Sequence, residues 1–78
     1  MSMDEFVVWV ARELVDVPDE VSVERVERDD VVVLRLHVAP DDVGKVIGRQ
    51  GRMARALRAL VRTASARSDT RLLLEIAE

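Results

Sequence analysis

The residues best suited to chemistry lie in the stretch from Val43 to Arg58, which reads VGKVIGRQGRMARALR. Gly48 and Gly51 stand three positions apart within it, and a strongly periodic helical pattern begins near Arg52. Glycines at a turn let the chain bend tightly and let another backbone come close, because they have no Cβ atom. The helix that follows begins with free N–H groups and the positive end of its dipole. The stretch therefore predicts a phosphate-binding position.

Three kinds of glycine motif bind phosphates, and their spacing separates them. A Walker-type loop needs Lys and then Ser or Thr after its last glycine, whereas Gly48 is followed by Arg49 and Gly51 by Arg52. A dinucleotide fingerprint follows a strand and needs a middle glycine where Val46 stands, in a segment that reads as helical. The Gly-x-x-Gly loop of a KH domain, which clamps the backbone of about four nucleotides, fits the spacing. A helix-turn-helix corner with glycines for packing only is the alternative.

Charge is divided unevenly along the chain. The net charge is −3, but residues 1–42 hold twelve acidic and four basic residues, and residues 43–78 hold three acidic and eight basic residues. The basic half contains the glycine loop. Local positive potential, more than net charge, is what attracts phosphates, so this distribution favours nucleic-acid binding. A merely solvated arginine-rich helix face is the alternative.

The residue inventory argues against an enzyme and against a metal site. The chain has no Cys, no Tyr and a single histidine, His37, so disulfides, thiolate ligands and a histidine pair are excluded. No nucleophile stands at a recognisable spacing from a base, and we predict neither catalytic residues nor a cofactor. The N-terminal stretch carries Arg12 and Glu13 within its apolar part and lacks a basic leader. We therefore expect no signal peptide, no membrane span and a cytoplasmic location.

The pattern along the chain predicts one small α+β domain over residues 1–78. Periodicity and turn residues predict a three-stranded sheet covered by three helices on one face, in the order α-β-β-α-α-β. The last two strands are joined by a helical crossover long enough for parallel pairing. The first strand alternates poorly, which indicates a bulge or an edge position. The expected bounds are helices at 3–15, 41–47 and 52–66, strands at 21–28, 31–39 and 71–77, and the glycine loop at 48–51.

The helical patterns also predict which side chains are buried. The first helix places Phe6, Val10 and Leu14 on one stripe. Trp9 is expected to be a core or half-buried residue more than an interface anchor. The last helix carries apolar residues on one face and an arginine ridge on the other. The apolar face consists of Met53, Leu57, Leu60, Val61 and Ala64, and the arginine ridge of Arg52, Arg55, Arg58 and Arg62. Asp41 or Asp42 is expected to cap the short helix before the glycine loop.

The element order, with its spare helix and strand ahead of the strand-helix-helix-strand unit, resembles the type II (prokaryotic) KH domain. The chain's size, its N-terminal helix and the segment VGKVIGRQGRMARALR are similar to the KhpA family, small bacterial proteins that consist of a single KH domain. The resemblance implies single-stranded RNA as a partner and a role as a post-transcriptional regulator or RNA chaperone. It also implies a homodimer, and a heterodimer with a larger Jag-type (KhpB) KH protein, acting in RNA regulation and cell-envelope growth.

The resemblance further implies that RNA lies in a groove between the glycine-loop helices and the neighbouring strand. The loop backbone would contact phosphates, apolar side chains would lie under the bases, and strand residues would approach base edges. The implied RNA-binding residues are Gly44, Lys45, Ile47, Gly48, Arg49, Gln50, Gly51, Arg52, Met53 and Arg55, with Val33, Arg35 and His37 from the strand. Arg49 replaces the lysine common in the family and keeps its charge. We expect weak, salt-dependent binding with little sequence preference. The alternative function is a KH-fold interaction module that works mainly by dimerisation.

Overall fold

The computed structural model describes residues 2–77, so Met1 and Glu78, the ends of the predicted domain, lie outside the described residues. The predicted α+β class is confirmed, with a three-stranded sheet and three helices. The helices are α1 (Met3–Leu14), α2 (Val43–Ile47) and α3 (Arg52–Ala66), and the strands are β1 (Ser22–Arg28), β2 (Val31–His37) and β3 (Arg71–Ile76). Short 3₁₀ turns precede β1, α2 and α3, at Pro18–Glu20, Pro40–Asp42 and Arg49–Gly51.

Helix α1 begins at a capping box. The N–H of Glu5 donates to Oγ of Ser2 at 3.1 Å, and the N–H of Ser2 donates to Oε1 of Glu5 at 2.9 Å. The hydrogen bond from the Ser2 backbone, followed by that from its hydroxyl, lowers the pKa of Glu5. Val7 and Ala11 are fully buried in the core. Trp9, expected in the core or half-buried, is instead 57% exposed, because the stripe through Val7 and Ala11 is the one that meets the core.

The strands lie side by side in the order β1-β2-β3. β1 pairs antiparallel with β2, from Ser22 opposite His37 to Arg28 opposite Val31, and β2 pairs in parallel with β3. β1 is therefore an edge strand, and its unbroken register contains no bulge. Of the two sequence-based interpretations of this strand, the edge position is the one observed.

The core lies between the helices and one face of the sheet. Alternate residues of β2, namely Val32, Leu34 and Leu36, are buried beneath the helices. α3 buries Ala54, Leu57 and Val61 against them. Leu60, expected on this buried face, is 47% exposed and borders Phe6 at the start of α1. The burial pattern of α3 therefore directs the arginine ridge away from the core.

A buried carboxylate ties the chain after α1 to the start of α2. Asp42 is 1% exposed, and its two carboxylate oxygens accept hydrogen bonds from the backbone N–H of Asp16 at 3.2 Å and of Val17 at 3.0 Å. Burial alone would raise its pKa, but these hydrogen bonds and the nearby Lys45 ammonium outweigh burial and lower the pKa of Asp42. Asp42 stands at the N-cap position of α2, yet its side chain makes no capping hydrogen bond because it is turned toward Asp16 and Val17.

Candidate nucleic-acid interface

Gly48 ends α2 in a conformation that has no room for a side chain. Its φ is +79°, and a Cβ at this position would lie 2.7 Å from Cβ of Met53 and 2.9 Å from its backbone nitrogen. Its N–H donates to the carbonyl of Gly44 at 2.9 Å, which closes the last turn of α2. Gly48 therefore lets the end of α2 lie directly against the first turn of α3.

Two neighbouring residues in the left-handed region complete the loop. Gly51 has φ +73° and is the N-cap residue of α3, with no side chain capping the helix. Gln50 has φ 57° and ψ 26°, a conformation that costs a residue with a Cβ roughly 1–2 kcal/mol. The N–H of Gly51 donates to the carbonyl of Gly48 at 3.1 Å. The N–H of Arg52 donates in the same way to the Arg49 carbonyl, so the result is a tight turn directly before α3.

Two arginines of α3 hold Gln50 in place. Nη2 of Arg55 donates to the Gln50 carbonyl at 3.2 Å, and Nη2 of Arg52 donates to the Gln50 side-chain oxygen at 3.3 Å. Both contacts are exposed to solvent. They compensate in part for the left-handed conformation of Gln50, and they fix two guanidinium groups beside the loop.

The arginine ridge and Arg49 form a continuous exposed positive surface. Within residues 2–77, no carboxylate oxygen lies within 4.0 Å of their guanidinium nitrogens, because the ion pairs of this part of the chain involve other cations. Phosphate groups that approach this surface would meet guanidinium groups that form no ion pair within residues 2–77. The surface begins at the loop and continues along α3.

A groove runs along the ridge between α3 and the edge strand β3. It encloses a volume of about 110 Å³ and is lined by Arg58 and Arg62 on one side and by Leu72, Leu73 and Leu74 on the other. Arg58 and Arg62 were predicted on the ridge but not among the RNA-binding residues, and no residue of β3 was predicted to bind RNA. The sequence could have indicated β3, because consecutive elements of a chain usually lie next to each other in the fold.

Residues 4–76 match the family model described as "KhpA/KhpB, KH domain". Relatives named "RNA-binding protein KhpA" come from Clostridium acetobutylicum, with 43% identity over 95% of this chain and 99% of the relative. A relative with the same name from Treponema pallidum is 48% identical over 94% of this chain and 91% of the relative. One from Aquifex aeolicus is 43% identical over 99% of this chain and 98% of the relative. No solved structure matches the chain.

The chain belongs to the KhpA/KhpB family of KH domains. The family resemblance seen in the sequence is thereby confirmed, and it rests on nearly the whole chain. Among residues 2–77, no helix is long and apolar enough to cross a membrane. The same residues contain no group of three or more His, Cys, Asp or Glu side chains arranged to hold a metal ion.

The KH domain places the three predicted strand residues away from the loop. Val33, Arg35 and His37 alternate with the buried residues of β2, so they lie on the sheet face opposite the helices. Nε of Arg35 donates to Oε1 of Glu75 at 3.1 Å, and Nε2 of His37 lies 3.3 Å from Oε1 of Glu24. The pleat of the sheet therefore does not bring these residues to the groove with the loop.

The remaining predicted residues divide into two groups. Ile47 and Met53 are half-buried beside the loop and pack against the core. Lys45 is engaged elsewhere, with Nζ 3.1 Å from Oδ2 of Asp16 and 3.5 Å from Oδ1 of Asp42. Its hydrogen bond with Asp16 is the largest cause that raises the pKa of Lys45. The charge of Lys45 is thus offset by two carboxylates, in contrast to the arginine ridge.

Proposed function

We propose that this KH domain binds short single-stranded RNA, with the backbone of residues 48–51 on the phosphates and the bases in the groove between α3 and β3. The relatives' printed name, "RNA-binding protein KhpA", supports RNA as the ligand. The observation that carries the proposal is the arginine ridge, which rises directly from a glycine loop and has no carboxylate neighbour within residues 2–77.

The proposed roles follow from where each group lies. The backbone N–H groups of Arg49 and Gln50, which lie between the donors used within the turn, bind phosphate oxygens. Arg49 and the arginine ridge add charge, and Arg58 and Arg62 do so from the wall of the groove. Ile47 and Met53 supply the apolar surface beside the loop. Val33, Arg35 and His37 are left out of this groove because they lie on the opposite face of the sheet.

The groove is small, so most of the binding free energy would come from phosphates. A volume of about 110 Å³ leaves few contacts to base edges. The binding constant for a single strand falls with salt, with a slope of about −0.7 per phosphate contact on a double logarithmic plot. Binding is therefore weak, sensitive to salt and little dependent on sequence.

The wider role is proposed on the same basis. The chain acts as a post-transcriptional regulator or RNA chaperone in the cytoplasm, without catalytic activity, as a homodimer or with a Jag-type KH protein. The description of the family model, which covers the KH domains of both KhpA and KhpB, supports such pairing.

A second candidate function is an interaction module that works mainly through protein contacts. Leu60 is 47% exposed and, with Met3 and Phe6, lines a hollow of about 270 Å³ at the start of α1. An exposed apolar surface of this kind favours contact with another protein. It lies beside the apolar side of α3, so RNA binding and partner binding are compatible.

The deciding experiment is a titration of a labelled single-stranded RNA of about ten nucleotides, long enough to exceed one KH groove. The test variant combines Arg49→Asp with Gln50→Asp, which places carboxylates on the loop. Asp tolerates the left-handed conformation, so the turn should persist. The matched control combines Arg12→Asp with Ser22→Asp, which changes the net charge by the same amount at exposed positions away from the loop. Circular dichroism checks that all proteins fold.

The expected result is loss of binding in the loop variant alone. Three results would overturn the assignment of RNA to this groove. The loop variant could bind as tightly as the native protein, or the native protein could fail to bind at all. The control could also lose as much affinity as the loop variant, which would assign the effect to net charge.

A further inference from the structure

Methionine carries all the sulfur of this chain, because the sequence has no cysteine. Of the three methionines, Met1 lies outside the described residues, and Met3 lines the hollow with Phe6 and Leu60 at the start of α1. Among the described residues, Met53 is the one methionine at the candidate site, in the first turn of α3 directly after the glycine loop. Oxidation at sulfur therefore reaches the site through Met53.

Met53 packs where the end of α2 meets the start of α3. A Cβ built on Gly48 would lie 2.7 Å from Cβ of Met53 and 2.9 Å from its backbone nitrogen, so the two residues are in direct contact. Like Ile47, Met53 is half-buried and packs against the buried core. The part of the side chain that stays exposed is open to a small oxidant. Met53 thus belongs to the packing that holds the loop and is within reach of solvent.

Hydrogen peroxide oxidises a methionine thioether directly. The sulfur lone pair attacks one peroxide oxygen, the O–O bond breaks, and after proton transfer the products are the sulfoxide and water. Sulfur loses two electrons and the peroxide gains them. A methionine sulfoxide reductase reverses the oxidation, with two thiols supplying the electrons and ending as a disulfide, and with water as the second product.

The sulfoxide is poorly suited to the place that the thioether occupies. It is polar, and its oxygen accepts hydrogen bonds, whereas Met53 packs against an aliphatic core. The N–H groups of Gly48 and Gly51 already donate to the carbonyls of Gly44 and Gly48. A polar group in an apolar contact costs free energy unless it finds a donor. Oxidised Met53 is therefore expected to leave the core and to loosen the contact between Gly48 and α3.

We propose that Met53 is an oxidation site, and that hydrogen peroxide releases RNA from this domain by converting Met53 to the sulfoxide. The inference rests on the proposed function, because Met53 and Ile47 supply the apolar surface beside the loop. Oxidation removes half of that surface and also the packing that holds residues 48–51 against α3. Reduction of the sulfoxide restores both, so RNA binding follows the balance of peroxide and reductase.

The test measures the RNA affinity of the full chain before and after treatment with hydrogen peroxide. The probe is a labelled single-stranded RNA of about ten nucleotides, and mass spectrometry of proteolytic fragments reports oxidation at each methionine. The oxidised native chain should bind about five- to tenfold more weakly. Methionine sulfoxide reductases with dithiothreitol should restore the affinity.

Two variants assign the effect to one methionine. Leucine and methionine have similar volumes, so both substitutions preserve packing. Met53→Leu is compared with itself, and its affinity should be the same before and after peroxide. Met3→Leu is the matched control, and peroxide should weaken its RNA binding as much as it weakens that of the native chain.

Hydrogen exchange supplies a measurement that does not depend on RNA. The amides of Gly48 and Gly51 close the end of α2 and the turn, so they should exchange faster in the oxidised native chain and at an unchanged rate in oxidised Met53→Leu. The amides of β2 that are bonded to its neighbouring strands should keep their protection. This comparison separates a local opening of the loop from unfolding of the domain.

Four results would overturn the proposal. The native chain could bind RNA equally well with Met53 shown to be a sulfoxide, or Met53 could stay reduced while Met3 is oxidised. Met53→Leu could lose as much affinity on treatment as the native chain, or β2 could lose protection together with the loop. A native chain that does not bind RNA before treatment would instead overturn the proposed function, and the Gly48 and Gly51 amides would still show whether oxidation of Met53 opens the loop.

Discussion

At the scale of single residues, Gly48 is the position where the loop most requires the absence of a side chain. A Cβ would lie 2.7 Å from Cβ of Met53, and the φ of +79° disfavours any side chain. We expect Gly48→Ala to lower the free energy of unfolding by about 1–3 kcal/mol, because both overpacking and backbone strain oppose it. Urea denaturation measures the change.

Gly44→Ala is the matched control for that substitution. Gly44 lies in α2, and no atom lies within 4 Å of a Cβ built there. Alanine in a helix loses less backbone entropy than glycine, so this variant should gain about 0.5–1 kcal/mol. If Gly48→Ala unfolded at the same urea concentration as the native chain, the prediction that Gly48 has no room for a side chain would be contradicted.

Arg55 has a role at the loop that charge alone does not fill. Its Nη2 donates to the Gln50 carbonyl at 3.2 Å. Arg55→Lys keeps the charge but loses the planar contact, and one such hydrogen bond is worth about 0.5–1 kcal/mol. We expect RNA affinity to fall about two- to fivefold with an unchanged salt slope. Arg58→Lys, on the groove wall, is the control, and an equal loss there would contradict a special role for Arg55.

At the scale of elements, Asp42 connects the end of α1 to α2. Its pKa is lowered from the ordinary value of 3.8, so the carboxylate contributes stability that is present above that value and is lost as the pH falls through the folded value. We expect Asp42→Asn to lower Tm by about 4–8 °C at neutral pH. The difference from the native chain should shrink below about pH 4.

Thermal unfolding between neutral pH and acidic pH checks this prediction. Asp41→Asn changes an exposed neighbour in the same 3₁₀ turn and should have little effect at any pH. A Tm difference between native chain and Asp42→Asn that stays constant across the range would show that the charge of Asp42 is not what joins the two segments.

The fold class and the order of the elements were predicted correctly because the periods of the sequence are clear. The strict alternation of β2 identified its two faces, and the glycine pair before a long amphipathic pattern identified the loop. The sequence did not show which neighbour covers each apolar stripe. Trp9 and Leu60 belong to apolar patterns wider than one contact face, and within residues 2–77 no other element covers them fully.

The site was predicted less completely, for a related reason. Arg35 and His37 were placed on the correct face of β2, but sequence periodicity does not tell which face adjoins the loop. The partners of Lys45 come from separate turns, and Asp16 is far from it in sequence, so its neutralisation is visible only in the fold. Long-range contacts decide both points.

At the scale of the whole molecule, the two edge strands of the sheet belong to halves of the chain that carry opposite net charge. β1 belongs to the half with twelve acidic and four basic residues, and β3 to the half with three acidic and eight basic residues. The proposed RNA groove therefore lies at the edge of the sheet that belongs to the basic half. An acidic region at one edge and a basic groove at the other would orient an approaching RNA strand toward the groove.

The acidic half should reduce RNA affinity only when salt is low. The molecule is 35 Å along its longest axis, whereas the Debye length is about 30 Å at 0.01 M salt and about 8 Å at 0.15 M. Asp19 and Glu20 are exposed in a turn outside the groove, so Asp19→Asn with Glu20→Gln removes repulsion without touching the site. We expect affinity to rise about twofold at 0.01 M and to be unchanged at 0.15 M.

The RNA titration at the two salt concentrations measures this effect. Glu24→Gln is not a suitable substitute for these positions, because Glu24 contacts Arg35 and His37. A gain of equal size at both concentrations would mean that Asp19 and Glu20 act through a local contact. RNA would then reach the acidic half of the chain, and the groove between α3 and β3 would be only part of the binding surface.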